Sequence, residues 1–140
     1  MKLIDVNVWL AATWGRHRHH AIARRWMDDE DDDLALCRVT EMAILRLVTN
    51  PAVLGPDART RREAWDLVDR LKADPRVTFL SEPDGLLPAW VSFSKLDDRS
   101  HLLWTDDYLA AFAHAAQAEF ITLDVGLRTR YSAVRVTCLL

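Results

Sequence analysis

Residues 34–51 read LALCRVTEMAILRLVTNP, and the reading of that stretch decides the fold. Its first four residues are apolar without a break, not alternating as in a sheet with one wet face, so they read as a short strand covered on both sides. From Thr40 the pattern changes. Met42, Leu45 and Val48 recur at a spacing of three, with Ile44 and Leu47 beside them, which predicts a helix that stops before Pro51. A covered strand running into a helix is the unit from which a parallel sheet with helices on both faces is built.

The same unit recurs in both directions along the chain. Towards the N-terminus, MKLIDV (1–6) is a short apolar run ending in an acid, and VWLAATWG (8–15) starts as a helix and stops at Gly15. HHAIARRWMDD (19–29) places Ala21, Ile22, Arg25 and Trp26 at helical spacing. Towards the C-terminus, RTRREAWDLVDRLKAD (59–74) is amphipathic, with Ala64, Leu67, Val68 and Leu71 on one face. VTFL (77–80) is a strand, GLLPAWVSFSK (85–95) is helical after Pro88, and TDDYLAAFAHAAQA (105–118) is a helix. FITLD (120–124) is a strand ending in an acid, and AVRVTCLL (133–140) is a β-branched terminal strand. The predicted fold class is α/β, one domain over residues 1–140.

Composition narrows the function classes. Half of the residues are hydrophobic, yet no segment of membrane-spanning length is free of charge, and the N-terminal residues do not form a secretory signal. Cys37 and Cys138 lie in apolar runs without zinc or redox spacing, and they read as buried thiols of a protein in a reducing cytoplasm. Net charge is −3, but residues 28–33 are DDEDDD and read as a solvated loop; outside that run the balance is positive and mostly arginine, which suits phosphate. His17, His19 and His20 lack nearby cysteines to complete a zinc site and read as a loop and helix start. Of the six tryptophans, Trp9, Trp26 and Trp65 are assigned to core-facing helix positions, and Trp14, Trp90 and Trp104 to a dimer or partner surface. Arg46 is assigned to the surface.

In open parallel sheets ligands bind beyond the carboxyl ends of the strands. Asp5 ends the first strand, Asp124 ends FITL, and Glu41 and Asp106 lie at helix starts, so four carboxylates are expected at one edge, with basic side chains scarce there. Each has a local alternative: Asp5 as a helix cap, Glu41 and Asp106 as first-turn acids behind Thr40 and Thr105, and Asp124 opening a turn into Gly126. Those alternatives leave the shared edge unexplained. Carboxylates held close raise one another's pKa unless a cation neutralises them. A hard divalent ion does so, and the chemistry that follows is metal-assisted phosphodiester hydrolysis. Arg128 and Arg130, just beyond Asp124, are candidates to hold the phosphate backbone of such a substrate.

LIDVNVWLA, TEMAILRLVTNP, WTDDYLAAFA and ITLD, taken in that order, resemble the PIN-domain nucleases, most of all the VapC toxins of bacterial toxin–antitoxin pairs. The resemblance runs nearly end to end; the ordered set is specific where a lone D-x-N is not. It implies that Asp5, Glu41, Asp106 and Asp124 are the four catalytic, metal-holding acids, supported by Asn7, Thr105 and Thr122. It further implies an endoribonuclease requiring Mg²⁺, with Mn²⁺ able to substitute. The expected form is a homodimer held inactive by a cognate antitoxin, and DNA would be bound only through the antitoxin complex because this chain lacks a basic recognition helix. Two other readings stay within the fold: a nuclease of RNA processing without a toxin role, and a catalytically silent module that binds RNA or a partner. A signalling receiver domain is disfavoured, since it needs paired acids after the first strand and a late lysine, whereas one acid follows here and no lysine follows Lys95.

The adjacent Asp106 and Asp107 are separated by helical geometry. With Leu109, Phe112, Ala113 and Ala116 defining the buried face, Asp106 lies about 70° from its centre and Asp107 about 170° away, beside His114. Metal binding is therefore assigned to Asp106, and Asp107 is expected to be solvated.

Overall fold

The computed structural model describes residues 1–140. Five parallel strands stand in the order β3-β2-β1-β4-β5: β1 (Lys2–Ile4), β2 (Leu34–Cys37), β3 (Val77–Leu80), β4 (Glu119–Thr122) and β5 (Val136–Cys138). The chain winds from β1 outward to β3, then returns to place β4 against the other side of β1. The winding direction therefore reverses between β1 and β4, and beyond their carboxyl ends lies the crevice where such sheets bind ligands.

Strand residues alternate between two cores. Ile4, Leu34, Leu36 and Ile121 pack on one face with Trp9, Ile44 and Val68, from α1 (Val6–Thr13), α3 (Arg38–Val48) and α5 (Arg61–Lys72). Met27 of α2 (His20–Asp29) joins that core. Leu3, Ala35, Cys37 and Phe120 pack on the other face with Leu86, Leu109, Phe112 and Leu127, from α6 (Leu86–Ser94), α7 (Trp104–Ala115) and α8 (Leu127–Arg130). The continuous apolar strands thus reflect cover on both sides, as expected. No helix is long and apolar enough to cross a membrane.

Several local expectations are corrected. A short helix, α4 (Pro51–Leu54), and a 3₁₀ turn follow α3. Asn50 caps α4 through Ala52 N at 2.9 Å, so the Asn-Pro pair that stops one helix starts the next. Helix α6 begins at Leu86, after Gly85 at φ 85°, and Pro88 sits in its first turn, where no intrahelical donor is needed. On α2 the buried residues are Ala23 and Met27, while Ala21, Ile22 and Arg25 are exposed. Met42 and Trp65 are half exposed, because α3 and α5 each pack on one side only. Cys37 is buried but Cys138, on the edge strand, is only partly covered; both thiols are free. Arg46 is exposed, as expected.

The acidic run is not wholly a solvated loop. Lys2 Nζ lies 3.4 Å from Glu30, 3.7 Å from Asp32 and 3.2 Å from Glu119, so part of the run is tied to the amino ends of the strands. That edge is opposite to the one holding Asp5 and Asp124. The histidines form the junction of α1 and α2: His20 Nδ1 contacts Ala11 O at 2.7 Å and His19 N donates to His17 Nδ1 at 3.1 Å. Burial, then the positive charge of His19, Arg18 and His20, lowers the pKa of His17.

Candidate active site at the sheet's carboxyl edge

Backbone pairing carries Asp5 to the crevice. Its N–H donates to Ile121 O at 2.9 Å, extending the β1–β4 ladder by one residue, and its C=O accepts from Val8 and Trp9 to open α1. Its carboxylate makes no capping bond to that helix. Oδ2 instead accepts from the Thr122 hydroxyl at 2.7 Å.

Thr122 is fully buried and every part of its hydroxyl is used. Leu123 N donates to Asn7 Oδ1 at 3.1 Å, which fixes the orientation of that amide. Asn7 Nδ2 therefore faces Thr122 and donates to Oγ1 at 3.2 Å. Asp124 N donates to the same oxygen at 3.0 Å. Both lone pairs of Thr122 are thus engaged, and its proton has one destination, Asp5. Asn7, Thr122 and Asp5 are thereby joined in one chain of hydrogen bonds. Asp124 Oδ1 accepts from Gly126 N at 2.8 Å, the turn contemplated for it. A Cβ at Gly126 would stand 3.2 Å from that oxygen, so the residue after Val125 needs to be small.

Burial, with the Asp106 charge adding to it and the Thr122 hydrogen bond opposing, raises Asp5 to about 6. Burial also raises Asp106; Arg130 opposes the shift, and the charges of Asp124 and Asp107 add to it. Asp5, Asp106 and Asp124 are therefore electrostatic neighbours drawn from β1, α7 and the end of β4. No three His, Cys, Asp or Glu side chains are gathered at metal-ligating distance.

Glu41 is neutralised by partners of its own. It is 1% exposed, and Arg38 and Lys72 both bond its carboxylate. Those two cations also lie over the Phe79 ring, at 4.7 and 5.2 Å from its centroid. Basic groups were expected to be scarce at this edge; two of them enclose Glu41, and Arg130 Nη1 lies 3.4 Å from Asp106 Oδ2. Arg128 is exposed on α8 without such a partner. Thr40 is not the helix cap but lies one turn in, where its hydroxyl accepts from Cys37 N at 3.0 Å. Thr105 likewise lies within the first turn of α7, exposed and away from the acids' hydrogen bonds.

Asp107 overturns its expected place on the solvent side. It is 8% exposed and accepts from Tyr131 Oη, whose residue is itself buried. Helix α7 has no broad solvent face at this level: residues 107–113 are all buried, between the sheet, α6 and the segment after α8. The two-faced wheel failed because the helix is covered nearly all round. The Asp107–Tyr131 bond and the Arg38–Glu41–Lys72 cluster are the site features that sequence reading missed. Nothing in the local pattern marks Tyr131 or Lys72, which lie 24 and 31 residues from their partners.

Comparison with known proteins agrees with the fold. The PIN-domain profile matches residues 2–131. Ribonuclease VapC41 of Mycobacterium tuberculosis is 36% identical over 145 residues, covering 99% of each chain. Ribonuclease VapC38 of the same organism is 31% identical over 134 residues, covering 92% of this chain and 89% of that one. Among solved structures, VapBC-1 from nontypeable Haemophilus influenzae has a TM-score of 0.70 at 15% identity, covering 99% of this chain and 97% of that one. The Mycobacterium tuberculosis toxin VapC20, described as cleaving the sarcin-ricin loop, has a TM-score of 0.70 at 14% identity, covering 96% and 99%. By the profile match and by its full-length likeness to VapC41, the chain belongs to the PIN-domain family, among the VapC ribonucleases.

Proposed function

We propose that this chain is a divalent-metal-dependent endoribonuclease acting as the toxin of a toxin–antitoxin pair. One observation carries the reading: Thr122 ties Asp5 to the backbone of Asp124 at the ends of β1 and β4, while Asp106, paired with Arg130, adds its charge to Asp5. Carboxylate oxygens are the hard donors that Mg²⁺ takes, with Mn²⁺ substituting, and neighbouring acids that raise one another gain from a cation between them. Bound there, Mg²⁺ would supply activation of the attacking water and charge stabilisation at the phosphate.

The chain's own residues would do the positioning. Thr122 holds Oδ2 of Asp5, and Gly126 N holds Oδ1 of Asp124. Arg130 and Arg128 would take RNA phosphates, Arg130 exchanging Asp106 for the substrate. Glu41 is proposed as the fourth acid, which requires it to leave Arg38 and Lys72. The same acidic edge would receive an arginine or lysine of a cognate antitoxin, as befits a cytoplasmic toxin, working as a homodimer, that must be silenced; DNA would be reached through that complex. The structural neighbours include a toxin–antitoxin complex from Klebsiella pneumoniae, and VapBC2 from Rickettsia felis bound to a DNA fragment from their promoter.

Purified protein is expected to cut single-stranded or looped RNA with Mg²⁺ or Mn²⁺ and to stop on chelation. Asp5→Asn is expected to abolish cutting with the fold retained. Full activity in excess chelator would sink the metal mechanism. Co-expression with a small protein encoded beside it is expected to yield an inactive complex; a saturated complex that still cuts RNA excludes occlusion of this edge. A catalytically silent module is the second reading, favoured by the neutralised Glu41, and metal-dependent cutting that disappears in Asp5→Asn removes it.

A further inference from the structure

Beside the acidic edge lies an open cavity of about 710 Å³, between the C-terminal end of α6, the start of α7 and the end of α8. Its volume falls within the roughly 300–1,000 Å³ usual for small-molecule sites. Phe93 and Tyr131 form a tilted aromatic pair in its wall, ring centroids 5.7 Å apart. Trp104 lines it and is 55% exposed, a large aromatic face that the fold leaves uncovered. Lys95 and Arg130 supply positive charge beside the lining acids Asp98 and Asp107, and Arg130 also reaches Asp106, so one side chain borders both cavity and acidic edge. Asp107 lines the cavity too; Tyr131 occupies Oδ1, leaving Oδ2 as an acceptor without a protein donor.

Exposed aromatics interleaved with cations are the chemistry that holds single-stranded nucleic acid, since every base offers a face to stack and every phosphate a charge to pair. A strand whose scissile phosphate lies at Asp5 and Asp106 would run past Arg130, and the next base would meet this cavity. We propose that the cavity is the seat of an unpaired nucleobase flanking the scissile phosphate, stacked on Trp104, with Lys95 and Arg130 on the neighbouring phosphates and Asp107 Oδ2 accepting from a base N–H. The proposal deepens the ribonuclease reading and rests on it for the position of the phosphate.

The test measures binding of a fluorescently labelled single-stranded oligoribonucleotide in Mg²⁺. An Asp5→Asn background keeps the strand intact. Adding Trp104→Ala, an exposed position whose loss spares the core, is expected to weaken binding at least about fivefold, the lower end for one lost base stack. Trp104→Phe is expected to restore most of the affinity. In the active protein, Trp104→Ala is expected to raise KM with kcat changed little. Equal binding by the Trp104→Ala and parent proteins overturns the base seat and leaves the nuclease reading standing. So does a Trp104→Ala protein that keeps its RNA affinity but loses a co-expressed antitoxin, since the cavity is then a protein-docking site. Absence of RNA binding by the parent overturns it as well. Weakened binding by Trp104→Ala in a protein that never cuts RNA with any divalent ion overturns the nuclease reading, and with it the scissile phosphate beside which the seat is placed.

Discussion

Asp5 is a buried carboxylate that the fold holds at a disadvantage. Its folded pKa, about 6, stands above the ordinary 3.8, chiefly through burial. The folded state therefore binds the proton more tightly than the unfolded chain does. The stabilisation of the protonated form is complete below the ordinary value and is lost as pH rises through about 6. At neutral pH the ionised group disfavours folding by roughly 3 kcal/mol. Asp5→Asn keeps an acceptor for Thr122 and removes the charge. It is expected to stabilise the metal-free protein at pH 7 by about 1–3 kcal/mol and to flatten stability between pH 4 and 6. Urea midpoints at the two ends of that range measure both; a variant less stable than wild type at pH 7 would refute the account. The neighbouring pair divides differently from the helical wheel. Asp106→Asn is expected to lose cutting by orders of magnitude with little change in stability. Asp107→Asn is now expected to lose about 1–2 kcal/mol, since its partner Tyr131 is buried and the bond to it is charge-assisted. Equal stability of wild type and Asp107→Asn in urea would contradict the observed bond.

At the scale of elements, Glu41 joins three of them. It sits in the first turn of α3, Lys72 ends α5, and Phe79 on β3 lies beneath the cations. Its carboxylate is buried, while Arg38 and Lys72 are 65% and 36% exposed. Removing the acid frees the cations to water, but removing both cations leaves a bare buried carboxylate. Arg38→Gln with Lys72→Gln is therefore expected to cost about 3 kcal/mol or more, and each single change much less, because the other cation remains. Restoring stability by adding Glu41→Gln to the double variant checks the cause. A double variant as stable as wild type would mean that Glu41 finds another partner, the crevice included. The elements themselves were largely readable. Strands β1 to β4 and the long helices fell where periodicity placed them, because one short window contains a whole period. Which face α2 buries was not readable, since Ile22 and Trp26 are as apolar as Ala23 and Met27 and only packing chooses between them.

For the whole molecule, a cation at the β1/β4 crevice should couple site and stability. A ligand that binds only the folded state at about 100 times its dissociation constant contributes roughly 2.7 kcal/mol. Saturating Mg²⁺ or Mn²⁺ is therefore expected to raise the thermal midpoint by roughly 5–10 °C, and to do nothing for a protein carrying both Asp5→Asn and Asp106→Asn. A calorimetric scan with and without the ion measures it, and an equal rise in the double variant would place the ion elsewhere.

The sequence by itself determined the run of strands and helices, and with it the class of sheet and the chain positions that end each strand. From those ends alone Asp5 and Asp124 could be assigned to one edge, because a strand's end is a local property and parallel strands share their direction. The tertiary structure alone decided which partners the acids meet. Thr122 binds Asp5 from 117 residues away, Tyr131 binds Asp107 across 24, and Lys72 draws Glu41 across 31. Contacts of that reach depend on how layers stack and where side chains find cover, and no period along the chain records it.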